Sequence, residues 1–242
     1  MKKEKLKLYL AHPFDSLKEI REWELATEKE AGIEFVNPFY ENIGEKVIEI
    51  QAGRIERYEV DPNSIVRPDI TLIMESSGIV SIVDGALSYG TIQEKVYGLN
   101  MKKLDLSLIS NGCDDDPWLR HHSSEIFTNL KDLTKRVVEL GKNPDAINNL
   151  PKIKVPEVEK EIKKIKGKKY HLTTIEKNVN YEEIMKMVYA YKFDVPVYSL
   201  ITNGHEKHPW LDYHSTKIFT KEKDLEEFLN LNYRGKINAI HT

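Results

Sequence analysis

Cysteine is nearly absent: Cys113 stands alone, so no internal disulfide can form and a reducing compartment is expected. Long apolar runs are missing too. Nothing approaches the ~18 consecutive apolar residues of a membrane span, and the opening run, Leu8 to Ala11, is too short for the apolar segment of a signal peptide. A cytoplasmic protein with no membrane partner is the expectation. Positive charge is not in surplus either, with 36 Lys and Arg against 39 Asp and Glu and a net charge of -3. Nucleic-acid binders carry a basic excess that displaces counterions, so no nucleic-acid partner is expected and the substrate should be small. What is present is an ordinary globular composition, 40% hydrophobic and 31% charged of mixed sign, which excludes disorder. The 242 residues suffice for one large domain, or for an ordinary domain and a smaller one.

Along the chain, apolar periodicity alternates between strand and helix. Residues 6 to 11 read as a strand stopped at His12-Pro13, and Asp15 or Ser16 should cap a helix from Leu17 to Ala31 with Leu17, Ile20, Trp23 and Leu25 inward and Gly32 as its stop. Ile33 to Val36 is the next strand. The run Asp69 to Met74 suits a third strand buried on both faces, Gly90 to Leu99 a helix, and Leu104 to Ile109 a further strand. Such alternation predicts an α/β fold with a parallel, flavodoxin-like sheet, whose ligands lie at the carboxyl ends of the strands.

A second signal is an internal repeat. SLISNGCDDDPWLRHHSSEIFTNLKDL from Ser107 returns as SLITNGHEKHPWLDYHSTKIFTKEKDL from Ser199, 92 positions later. Ile92, Val96 and Tyr97 meet Ile184, Val188 and Tyr189 at this offset, but Glu94 meets Lys186. The expected organisation is a domain over residues 1–145, a charged linker over 146–169, and a partial repeat over 170–242 that lacks the glutamate.

The segment Ser88-Tyr89-Gly90-Thr91-Ile92-Gln93-Glu94 opens a helix behind a strand. A glycine there allows close backbone approach, the helix start offers free N–H groups to an anion or sugar oxygen, and Glu94 follows about one turn in. With three other segments this arrangement resembles the nucleoside 2-deoxyribosyltransferase family and its relatives that hydrolyse nucleoside 5'-monophosphates. Leu8-Tyr9-Leu10-Ala11 with Pro13 and Phe14 is similar to the family's first strand. Val60-Asp61, with Asp69 eight positions on, is similar to its aspartate pair. Ile126-Phe127-Thr128 leading into Lys131-Asp132-Leu133 resembles the end of its domain. The resemblance implies a covalent sugar on Glu94, Tyr9 hydrogen-bonded to that nucleophile, and Asp61 as the acid that protonates the leaving base. The chemistry requires these types: a carboxylate stabilises an oxocarbenium-like sugar and bonds to it, while a carboxylic acid of raised pKa lets the base leave neutral.

By the same resemblance Ser88, Gly90, Thr91 and Asp69 contact substrate, and Ser88 tilts the choice toward a 5'-phosphate, for which Ser16 and Arg21 are candidate ligands. Asp84 is the competing candidate, binding a free 5'-hydroxyl. Asn37 and the residues onward to Tyr58 should select the base. Asn111 or His122 would reach substrate, as a loop of a neighbouring subunit does in the family, and a homo-oligomer is implied. The partial repeat could take that neighbour's place, in which case deleting residues 151 to 242 should inactivate the enzyme or change its oligomeric state. No cofactor is expected, and no metal, because the histidines and the Asp114 to Asp116 run lack matched zinc-ligand spacing. A Cys113–His nucleophile is disfavoured, His205 standing in its place in the second copy. Partners are then a small nucleoside or nucleotide and a free nucleobase. A nucleoside 5'-monophosphate N-hydrolase and a non-enzymatic nucleotide-binding protein are the alternatives.

Overall fold

The computed structural model describes residues 5–41, 61–84, 88–176 and 180–233. Five parallel strands, β1 (Lys7–Ala11), β2 (Glu34–Val36), β3 (Gly78–Val83), β4 (Leu104–Ile109) and β5 (Glu125–Phe127), form one sheet in the order β2-β1-β3-β4-β5. This is the flavodoxin-like order, in which the connections reverse direction between β1 and β3 and leave a crevice at the carboxyl ends of those strands. Side chains alternate across the sheet. Leu8, Leu10, Val80, Ile82, Leu106 and Leu108 pack on one face against helices α1 (Leu17–Ala31) and α6 (Leu130–Lys142). Tyr9, Ala11, Ile79, Val83 and Ile109 pack on the other, against α3 (Asn63–Glu75) and α4 (Tyr89–Asn100). Two short helices, α2 (Pro38–Glu41) and α5 (Pro117–His121), lie in the connections.

α1 follows its expected bounds, with Leu17, Ile20, Glu24, Thr27 and Ala31 buried at helical spacing and Gly32 ending it in the left-handed region at φ 68°. Leu25 faces solvent instead of the core, and Ser16 stands before the helix without a side-chain capping bond.

The run Asp69 to Met74 is not a strand. It is the second half of α3, and the third strand is Gly78–Val83. Six apolar-rich residues fit either period. The helix becomes legible only over the longer window in which Val66, Asp69, Leu72 and Ile73 are the buried positions. The strand GIVSIV, rich in β-branched residues and buried at all six positions, sits between covered faces.

Beyond the first sheet, α7 (Pro156–Ile165) lays Val158 and Ile165 into the core. A second parallel sheet follows, β6 (His171–Ile175), β7 (Val197–Ile201) and β8 (Lys217–Phe219), with α8 (Tyr181–Lys192), α9 (Pro209–His214) and α10 (Glu222–Asn232). One core runs through both halves, since Ile92 and Val96 of α4 share a cluster with Ile184, Met187 and Val188 of α8 and with Trp210 of α9. No helix among the described residues is long and apolar enough to cross a membrane.

Candidate active site

α4 lies between the first sheet and α8, so Tyr89 and every residue from Thr91 to Gly98 are buried. Gly98 makes its close seat on the sheet possible: a Cβ there would stand 2.2 Å from Ile79 Cδ1. Three successive polar residues occupy this buried helix, and at about 100° per residue they meet three different environments. Gln93 turns to α8, its amide 3.6 Å from Met187 Sδ. Lys95 reaches over the sheet to Asp105 at 2.8 Å and to Ser81, Ser107 and Ser123. Glu94, between them, points to β1.

There Tyr9 donates its hydroxyl to Glu94 Oε1 at 2.7 Å. Tyr9 stands on the central strand and is fully buried, and Glu94 is 5% exposed. Burial holds the Glu94 proton on, raising its pKa to about 7, against the downward pull of the Tyr9 hydrogen bond. Asp69, from the middle of α3, completes the group. It is 3% exposed, one of its carboxyl oxygens, Oδ1, has no hydrogen-bond partner, and burial first and the Glu94 charge second push its pKa well up. Two buried carboxyls this near cannot both ionise cheaply, so they share a proton near neutrality. The pair can therefore present one carboxylate and one carboxylic acid together.

Asp61, the expected acid, is exposed at the head of α3, where its Oδ1 accepts from Asn63 N at 3.0 Å and Asn63 Nδ2 at 3.2 Å. Asp69 has the environment an acid needs. At the carboxyl ends of β1 and β3, Ser16 Oγ donates to Asp84 Oδ2, which joins the two candidate sugar or phosphate contacts. Arg21 is held by Glu24 and lies 4.2 Å over the Tyr40 ring. Asn37 is buried in a structural network: its Nδ2 group donates to Glu24 Oε2 at 2.8 Å and contacts His12 Nε2, and its Oδ1 accepts from Phe39 N. Residues 42–58, the remainder of the expected base-selecting segment, lie outside the described residues, as do Val60 and Gly85. Ser88 and Thr91 are buried at the start of α4, Pro13 is buried at the end of β1, and Phe14 packs edge-on against Phe39.

The second half braces the same helix. Asn203 donates to Tyr89 Oη at 2.7 Å, and the His205 and His208 rings meet the Tyr89 ring edge-on at 5.7 and 5.1 Å. Gly90 faces Trp210, and a Cβ there would touch the indole at 3.0 Å. Its bareness therefore serves α9 of the same chain rather than a ligand. Asn111 donates to Tyr181 Oη at 2.7 Å, and His122 bonds Trp118 O through Nδ1 and Tyr189 Oη through Nε2. Both expected substrate contacts thus join the two halves. The sequence reading passes over Asn203, His205 and His208 as neighbours of the helix that carries Glu94. The signal was available, because Tyr89 and Asn111 recur at the same offset as Tyr181 and Asn203.

Among the described residues no three His, Cys, Asp or Glu side chains converge as a metal site would. Compared with known proteins, the chain matches no family model and no curated protein.

Proposed function

We propose that this protein cleaves the N-glycosidic bond of a nucleoside and passes the sugar, held covalently on Glu94, to another base or to water. The observation that carries the proposal is the buried Tyr9–Glu94 hydrogen bond beside the raised, partly unpartnered carboxyl of Asp69, brought together from β1, α4 and α3. In the first step a Glu94 oxygen attacks the anomeric carbon, the bond to the base nitrogen breaks, and the electron pair left on that nitrogen takes the Asp69 proton. In the second, a base nitrogen or water attacks the anomeric carbon, the bond to Glu94 breaks, and Asp69 recovers a proton from the acceptor. Tyr9 keeps Glu94 oriented and favours its ionised form. Assigning the acid to Asp69 instead of Asp61 follows from burial, which raises the Asp69 carboxyl and which Asp61, exposed at the head of α3, lacks.

A nucleoside is favoured over its 5'-monophosphate. Ser16 already donates to Asp84 and Arg21 is engaged by Glu24, while the Asp84 carboxylate would repel a phosphate and accept from a 5'-hydroxyl. Deoxyribose is part of the proposal through the resemblance described above. The test is chromatography of the full chain incubated with each 2'-deoxynucleoside and each 5'-monophosphate, with and without a second free base. Base exchange that falls more than about 10³-fold in Glu94→Gln and about 10²–10⁴-fold in Asp69→Asn is the expected result. Release of base from monophosphates alone would make the enzyme a nucleotide hydrolase, and no turnover of any substrate would leave a nucleotide-binding protein.

A further inference from the structure

The two sheets share one register. Ser81 pairs with Ser107 and Ser107 with Ile126, and 92 positions later Thr173 pairs with Ser199 and Ser199 with Ile218. Contacts between the halves repeat the same shift in both directions. Asn203 donates to Tyr89 as Asn111 does to Tyr181, both at 2.7 Å. His214 meets Tyr97 at 2.8 Å as His122 meets Tyr189 at 2.9 Å. Contacts that exchange partners in this way describe a two-fold arrangement. A site built at one end of the joint therefore has a counterpart at the other.

At the Glu94 end stand Asp84, Ser88 and Tyr89 of one half, and His205 and His208 of the other meet the Tyr89 ring. Shifted by 92 positions these become Glu176, Asn180 and Tyr181, approached by Cys113 and Asp116. Those five residues, with Glu183, line an open pocket of about 570 Å³, within the ~300–1,000 Å³ usual for small-molecule sites. Its chemistry differs from that of its counterpart. Lys186 replaces Glu94, and its ammonium is bound by Glu182 and by Glu183 at 3.7 Å and lies 5.8 Å from the Trp118 ring centre. No carboxylate nucleophile remains at that position. Asp116 spends one oxygen on the Trp118 and Leu119 amides at 2.9 Å. Together with Glu176 and Glu183 it gives the pocket a lining that accepts hydrogen bonds from hydroxyl and amine groups and repels phosphate, and Tyr181 adds apolar surface.

We propose that this pocket is a second, non-catalytic site for a neutral nucleoside. The pocket stands on the arrangement just described, whereas its ligand class rests on the function proposed for the Glu94 site. Titration calorimetry tests it on the full chain carrying Glu94→Gln, with each 2'-deoxynucleoside and its 5'-monophosphate as probes. The expected result is two nucleosides bound per chain, reduced to one by Thr174→Trp. Thr174 is an exposed residue of the pocket wall, so the indole fills the pocket without entering the core. Glu176→Lys, also at the surface, should give the same loss if the tryptophan variant folds poorly, and turnover by Thr174→Trp with Glu94 intact should stay within about two-fold of the parent. A single nucleoside per chain, undiminished by either substitution, would overturn the proposal, as would a monophosphate that binds the pocket as tightly as the nucleoside. The two readings fail separately. Turnover with only one binding event sinks the second site and keeps the first. A binding event lost in Thr174→Trp, in a chain that turns nothing over, keeps the pocket and sinks the catalytic reading.

Discussion

At Glu94 two effects oppose one another: removal from water raises its pKa to about 7, and the Tyr9 hydroxyl at 2.7 Å pulls it down. Asp69 is raised by burial first and by the charge of Glu94 second, so the two carboxyls give up their protons in separate steps. The proposed reaction needs Glu94 charged and Asp69 protonated, so the pH profile of base release should be bell-shaped, climbing to about 7 as Glu94 loses its proton and falling as the pair loses its second. In Tyr9→Phe the charged form of Glu94 loses its hydrogen bond, so the acid limb should move to higher pH while the rate falls about 10-fold or more. A profile lowered without displacement would make Tyr9 a packing residue only. The type of each group was legible in the sequence through its motif. The burial that gives Asp69 rather than Asp61 the raised pKa was not, because it depends on which face of α3 meets α4.

Among the elements, β1, α1, β2, α4 and β4 were legible within a residue or two, because each has one dominant period and a clear stop such as Gly32 or His12-Pro13. α3 was not. Its register is set by packing against α4 and the sheet, and it carries Pro68 in its interior, a residue that argues against a helix from sequence alone. The polar residues of α4 are a second case. Lys95 is fully buried, which a sequence reading would place at the surface, and it is tolerated because Asp105 and three serine hydroxyls receive its ammonium. At the offset of 92 both ionic partners change together, Lys95 to Met187 and Asp105 to Val197, while the serine pair persists as Ser199 and Ser215 at 2.8 Å. Losing both charges at once leaves neither buried alone.

For the whole molecule, the joint between the halves is held by uncharged histidines. Burial lowers His122 to about 3 and His214 to about 4, and His12 and His171, elsewhere in the chain, to about 4. Each binds a proton near its ordinary value of 6.5 only when unfolded, so their contribution to stability is present above that pH and is lost as the pH falls toward 4. Glu94 and Asp69, whose pKa values are raised, act in the opposite sense. Glu24, Asp116, Glu183 and Asp212 are raised by burial as well and add to that offset, while each of the four histidines should cost roughly 1–2 kcal/mol by pH 5. Relative to the parent, His214→Gln should therefore lose less melting temperature, or gain more, as the pH falls from 7.5 to 5, and an identical pH dependence in the two would show that His214 carries no acid lability. The covalent sugar proposed on Glu94 is tested by mass spectrometry of acid-quenched, protease-digested protein after incubation with a 2'-deoxynucleoside. One deoxyribosyl group is expected on the peptide carrying Glu94 and none in Glu94→Gln. Base release that continues in Glu94→Gln, or a sugar attached to another residue, would contradict it.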